Sequence, residues 1–179
     1  FAFHEVKRSE FEDIETEGKA LLAKVNAALE RIENAESENK RLNDEIKILT
    51  PYLNLSVATK TLSELVKTRI MIGYVPFELF EEFQKETSAK GHVFEESSRD
   101  KEFVYGAFGY ELVYESQALI LLNAYRFNEV TLPLFDTKLS ALLPELKNSL
   151  TVNEDIIKAA NADLKVLSKE STKLRIYYD

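Results

Sequence analysis

Residues 10–49 read EFEDIETEGKALLAKVNAALERIENAESENKRLNDEIKIL. Seam residues recur in this stretch at spacings that alternate between three and four, and all but one are apolar or small. They are Phe11, Ile14, Gly18, Leu21, Val25, Ala28, Ile32, Ala35, Asn39, Leu42, Ile46 and Leu49. This is the heptad repeat of a coiled-coil seam, and no proline interrupts it before Pro51. The sequence predicts one helix over residues 9–49, about 60 Å long.

The carboxyl end of the chain repeats the pattern. Its seam consists of Leu139, Leu143, Leu146, Leu150, Asn153, Ile157, Ala160, Leu164, Leu167, Ser171, Leu174 and Tyr178. A capping box formed by Thr151 and Glu154 would begin a new helix here, whereas Pro144 would kink an existing one. Because the heptad phase continues through both positions, we favour one helix that bends near Pro144.

The two seams match each other in an antiparallel pairing in which the numbers of facing residues sum to 192. In this register Asn39 faces Asn153, and Gly18 faces Leu174. Two amides in an apolar seam can hydrogen-bond to each other, whereas a slip by one heptad would bury each amide against hydrocarbon. The sequence therefore predicts that Asn39 and Asn153 fix the register, with two tolerated seam imperfections as the alternative.

Between residues 51 and 136 the periodicity changes. The predicted elements are a short helix over 53–65, a strand over 67–75, a helix over 77–90 that stops at Gly91, strands over 92–96 and 102–110 joined by a turn at 97–100, a helix over 111–126 and a strand over 127–132. This βαββαβ order is that of a ferredoxin-like lobe, in which both helices cover one face of a four-stranded antiparallel sheet. The expected fold is thus α+β: a long antiparallel two-helix coiled coil capped by a small ferredoxin-like lobe. Its expected divisions are 1–50, 51–136 and 137–179.

The composition argues against most kinds of catalytic or metal site. The 179 residues include no cysteine and two histidines, His4 and His92, which have no metal-ligand spacing. The carboxylates lie where solvated helix faces would put them, and the glycines form no phosphate-binding loop. An acylphosphatase-like enzyme would need a cation after the first strand, and residues 75–78 contain none. We therefore expect a protein without catalytic residues, cofactors or metals.

The charge of the chain indicates what kind of partner it has. A formal net charge of −8 opposes binding to nucleic acid or to an anionic membrane, so proteins are the expected partners. Phe103, Tyr105 and Phe108 could form an RNA-binding platform, but residues 51–136 carry thirteen acids against eight bases, which favours core packing. The longest apolar run, 118–122, is too short to cross a bilayer. We expect a soluble piece of a larger protein.

Three segments resemble a known family. Residues 69–76, RIMIGYVP, resemble a strand-to-helix "GYVP" segment of the cytoplasmic part of subunit I of rotary V-type (archaeal or bacterial A/V-type) ATPases, which is called subunit a in eukaryotes. Residues 127–133, FNEVTLP, resemble that family's F-x-x-V-x-L-P segment, and residues 174–179, LRIYYD, resemble the end of its returning helix. The chain departs from the family at residues 137–140, TKLS, where a Gly-Thr-Pro helix start is frequent.

This resemblance implies a stator component. The chain would be the helix pair and the distal lobe, on the cytoplasmic face of the membrane, joined to the rest of subunit I. It would hold the peripheral stalk, a heterodimer of subunits E and G, against the torque of the rotor, and ion translocation would belong to the membrane half. The candidate contacts for the stalk are Phe77, Glu81 and Lys85 on one predicted helix, or Arg99 and Lys101 at the hairpin end. The alternative function is an arm that presents its lobe to another protein or to RNA.

Overall fold

The chain divides into two compact units. In the computed structural model, which describes residues 8–56, 61–62, 64–133 and 135–176, one unit contains Phe1–Leu42 and Asn148–Asp179, and the other contains Asn43–Lys147. Both long helices of the chain contribute residues to both units. We call the first the helical unit and the second the lobe.

The helical unit is built from α1 (Arg8–Leu49) and α4 (Leu139–Ile176). Their least exposed residues within this unit fall on the predicted seams, and the buried ones are Ala28, Ala35, Leu42, Ala160 and Leu167. Helix α4 continues through both Pro144 and Thr151, so no new helix begins at Thr151. Periodic burial of one apolar stripe stabilises such long helices.

The lobe contains a four-stranded antiparallel sheet. Its strands are β1 (Thr68–Pro76), β2 (Val93–Arg99), β3 (Phe103–Glu111) and β4 (Asn128–Glu129), in the spatial order β2-β3-β1-β4. Strands β1 and β3 pair along their whole length. Helix α2 (Phe80–Ala89) follows β1 and helix α3 (Glu115–Ala124) follows β3, each after a single 3-10 turn.

One face of the sheet packs against α2 and α3. Alternate residues of β1 and β3 point to this side, since side chains in a strand alternate between faces. Val75, Val104 and Phe108 are fully buried there, together with Phe83 of α2 and Ala118 of α3. This is the main hydrophobic core of the lobe.

The other face of the sheet is also covered, which the sequence left open. Ile72 of β1 packs in a second apolar cluster with Leu49 of α1, Leu139 and Leu142 of α4, and the intervening Tyr52. The ends of both long helices therefore belong to the core of the lobe. Burying this apolar surface stabilises the lobe in proportion to the area removed from water.

The predicted helix over 53–65 is wrong at its start. Leu53 and Asn54 form a turn, Ser56 lies in a bend, and residues 57–60 and 63 lie outside the described residues. Within this segment the side chain of Asn54 donates a hydrogen bond to the Ser97 carbonyl at 3.0 Å, and the Ser98 hydroxyl donates to the Pro51 carbonyl at 2.6 Å. The segment is thereby attached to β2, which would otherwise be an open edge strand.

The predicted hairpin turn at 97–100 is placed too early. Strand β2 continues to Arg99 through a bulge between Glu96 and Ser98, and the turn occupies 100–102. The reason is local: the Asp100 carboxylate accepts hydrogen bonds from the backbone N–H groups of Glu102 and Phe103 at 2.8 and 2.7 Å. Such an Asx turn makes Asp100 the first residue of the turn.

The last predicted strand is much shorter than residues 127–132. Strand β4 has two residues, and the Val130 N–H donates one more hydrogen bond to the Ile72 carbonyl. Leu132 lies in the second apolar cluster together with Ile72.

Candidate partner-binding surface

The end of β1 brings Phe77 beside the β2–β3 turn. Pro76 ends the strand, and the Phe77 N–H donates a hydrogen bond to the Glu102 carbonyl at 2.8 Å. The Phe77 side chain is 46% exposed. A half-exposed aromatic ring that is held in place by the end of a strand is suited to protein recognition.

Arg99 lies against this ring. Its guanidinium carbon is 5.8 Å from the centre of the Phe77 ring and 5.1 Å from that of Phe80. Such stacking leaves the edge of the guanidinium free to donate hydrogen bonds. The structure therefore unites two residues that the sequence assigned to alternative surfaces.

The Arg99 guanidinium is oriented by Glu96. Its Nε and Nη2 both donate to this carboxylate, with a distance of 2.6 Å for Nη2 to Oε2. These hydrogen bonds lower the pKa of Glu96, so the pair stays charged at neutral pH. Glu96 was not predicted to belong to this surface, because residues three apart in a regular strand point to opposite faces. Only the bulge between Glu96 and Ser98 allows the contact.

The turn itself is stiffened by Asp100. Its carboxylate accepts a hydrogen bond from the Tyr105 hydroxyl at 2.7 Å, in addition to the two backbone N–H groups. The hydroxyl bond is the largest cause of the lowered pKa of Asp100, and burial raises the pKa of Tyr105 to about 12. Lys101 is exposed at the turn, next to this ordered carboxylate.

Glu81 and Lys85 form a pair of their own on α2. Lys85 Nζ lies 3.1 Å from Glu81 Oε1, and both side chains are exposed. Exposed pairs at this spacing contribute a few tenths of a kcal/mol to helix stability. No hydrogen bond or ion pair in the described part of the chain joins this pair to Phe77 or Arg99.

The predicted register residues lie in the helical unit. Both Asn39 and Asn153 are partly buried on their helices. The Asn39 Oδ1 atom is shielded from solvent and accepts no hydrogen bond within the described residues. The pairing of Asn39 with Asn153 stays a prediction.

The described residues contain no group of three or more histidine, aspartate or glutamate side chains placed to hold a metal. His92 is buried with its ring against Phe108, Tyr110 and Tyr114, and burial is the main cause of its lowered pKa. His4 lies outside the described residues. The surface around Phe77 and Arg99 is suited to binding.

Among the residues that the structure describes, no helix is long and apolar enough to cross a membrane. No protein-family model matches the chain, and no curated protein matches it. Among solved structures, the cytoplasmic N-terminal domain of subunit I, homolog of subunit a, of V-ATPase is similar over 94% of this chain and 68% of that chain. The identity is 14% and the TM-score is 0.44, a likeness too weak to establish a shared fold or function.

Proposed function

We propose that this chain is the helix pair and distal lobe of subunit I of a rotary V-type ATPase, a non-catalytic stator arm on the cytoplasmic face of the membrane. In this proposal the lobe is ferredoxin-like and binds the peripheral stalk formed by subunits E and G. The ion-translocating half belongs to the remainder of subunit I.

The observation that carries the proposal is the contact between the two segments that resemble the family. Residues 69–76 lie within β1, residues 127–133 include β4, and they pair at Gly73–Glu129 and Tyr74–Asn128. A Cβ atom at position 73 would lie 2.1 Å from the Asn128 carbonyl oxygen. The glycine of GYVP is therefore required by the close approach of the neighbouring FNEV backbone.

A stator arm must transmit force, and the helical unit has features that support this. Helix α1 has 42 residues and helix α4 has 38, and each buries one stripe of residues along the seam. A continuous hydrogen-bonded helix resists compression along its axis, and seam packing resists sliding of one helix past the other.

The stalk-binding surface in this proposal is centred on Phe77 and Arg99. The aromatic ring and the stacked guanidinium, oriented by Glu96, have the properties of interface residues that contribute most to affinity. The surrounding surface is acidic, with Glu78, Glu81 and Glu82 at the start of α2. We expect the facing part of the stalk to be basic, because complementary charge accelerates association.

The experiment is calorimetric titration of the chain with the E–G heterodimer at low and at physiological salt. We expect saturable one-to-one binding that weakens with salt, and that Phe77→Ala and Arg99→Ala each reduce affinity by about tenfold or more. Arg69, exposed near the opposite end of β1 and paired with Glu115, supplies the matched control, and Arg69→Ala should bind normally. If the folded chain does not bind the heterodimer at high concentration, the proposed stator function is wrong.

The alternative, an arm that presents the lobe to RNA, receives less support from the same residues. Phe108 is fully buried against α2 and α3, whereas Tyr105 lies on the opposite face against Tyr52. The three aromatic residues proposed as a platform therefore do not share a surface. Stacking of successive bases needs rings on one open face.

A further inference from the structure

One side of the helical unit carries two hollows between α1 and α4. The first, of about 420 Å³, is lined by Ala27 of α1 and Val166 of α4, and the second, of about 460 Å³, by Asn34 and Ala159. Each helix therefore contributes to both hollows through residues seven positions apart. Arg31 lines both of them and forms an ion pair with Asp163 at 2.6 Å.

This side of α4 bears a second apolar stripe outside the seam. Val152, Ile156 and Val166 are 50%, 39% and 56% exposed, and Ala159 between them is exposed as well. Their spacings of four, three and seven residues continue a heptad pattern that is offset from the seam. A helix in a two-stranded coiled coil needs one apolar stripe, whereas a helix with two stripes packs against two neighbours.

We propose that this side of the helical unit, the Arg31 groove, binds an amphipathic helix of a partner protein. Hollows that repeat every seven residues, about 10 Å apart, accept side chains that repeat at the same interval on a third helix. The small side chains of Ala27 and Ala159 let its backbone approach closely. This inference does not depend on the function proposed above.

Charge restricts the partner further. Around the first hollow the α1 wall is basic, with Lys24 and Arg31, and the α4 wall is acidic, with Asp163 and Glu170. Beside this first hollow, the complementary helix carries acidic residues on the flank that faces α1 and basic residues on the flank that faces α4. A helix with one sign of charge on both flanks meets a like charge along one wall.

The test uses a labelled synthetic peptide of about 28 residues, long enough to be helical, with an apolar heptad stripe, glutamates on one flank and lysines on the other. Binding to the whole chain is followed by fluorescence anisotropy. We expect saturable binding that Ala159→Glu weakens by about tenfold or more, because the new carboxylate fills the second hollow. A peptide with glutamates on both flanks should bind more weakly.

Ala162→Glu is the matched control, since Ala162 is exposed on α4 three residues beyond Ala159 and lines neither hollow. It should bind like the unmodified chain, and circular dichroism should show both variants equally helical. Absence of saturable binding, or equal weakening by both variants, overturns the proposal. A concentration-dependent dimer of the chain that Ala159→Glu alone abolishes also overturns it, because the occupant is then a second copy.

Discussion

Arg31 and Asp163, which are 132 positions apart in the sequence, form an ion pair at 2.6 Å between α1 and α4. Their numbers sum to 194. If the numbers of facing seam residues sum to 192, the numbers of two facing residues that flank the seam on the same side are expected to sum to 194. The contact lies outside the apolar stripe, and both side chains are about half exposed.

The contribution of this pair can be measured by charge reversal. We expect Arg31→Asp or Asp163→Arg alone to reduce the free energy of unfolding by about 0.5 kcal/mol, and the double exchange to recover most of the loss. Urea denaturation at about 0.1 M and about 1 M salt measures the free energy of unfolding. The higher salt concentration should reduce the effect, because it screens the charges. A double exchange that is as unstable as the sum of the single variants would contradict the pairing.

Asn39 allows a test of the predicted register. Because its Oδ1 is shielded and unpartnered within the described residues, replacing it with leucine should stabilise the chain by about 1 kcal/mol. Thermal unfolding of Asn39→Leu measures this. Destabilisation would indicate instead that Asn153 depends on Asn39, as the sequence predicts.

Two tyrosines of the second cluster should respond oppositely to loss of their hydroxyl groups. The Tyr52 hydroxyl is buried and unpartnered among the described residues, so Tyr52→Phe should leave stability unchanged or raise it. Tyr105→Phe removes the hydrogen bond to Asp100 and should lower the urea midpoint. The opposite order of the two midpoints would exclude this explanation.

Stability should depend on pH through His92. Burial, assisted by the charge of Lys90, lowers its pKa, so below about pH 6.5 the unfolded chain binds a proton that the folded chain does not. Stability should therefore fall as the pH is lowered through this range. Urea denaturation between pH 5.5 and 8 tests it, in a His4→Gln background that leaves His92 as the single histidine. His92→Leu should flatten the profile, and an unchanged slope would assign the effect to other groups.

Glycines at two positions should differ in their tolerance of alanine. At Gly73 the added Cβ would meet the Asn128 carbonyl oxygen at 2.1 Å, so Gly73→Ala should cost about 2 kcal/mol or more. At Gly18, within α1, nothing lies within 4 Å of the added Cβ, and alanine should stabilise by about 0.5–1 kcal/mol. Thermal unfolding measures the change in stability of each variant. Equal changes would contradict the close approach of β4 to Gly73.

The candidate surface was only partly predictable. Phe77 and Arg99 are identified in the sequence by type and position, but their contact requires the bulge that precedes Arg99 and the closeness of the β2–β3 turn to the start of α2. Neither follows from periodicity. The second stripe on α4 was not predicted from the sequence, and only the hollows beside Arg31 distinguish it from scattered exposed residues.

By itself the sequence determined the helices that a periodic pattern specifies and the turns that one or two residues specify. Heptads specify α1 and α4 over many turns, so the single Pro144 near the start of α4 does not end that helix. The turn after α2 is local in origin: Gly91 has a φ of 76°, a conformation that glycine adopts without strain. Only the tertiary structure decided which distant segments pack together. Leu132 lies in the second apolar cluster beyond the short strand β4, and Leu49, Leu139 and Leu142 join that cluster from helices whose heptads predicted a coiled coil. Burial of an apolar sheet face depends on which distant segment reaches it, and no local pattern encodes that choice.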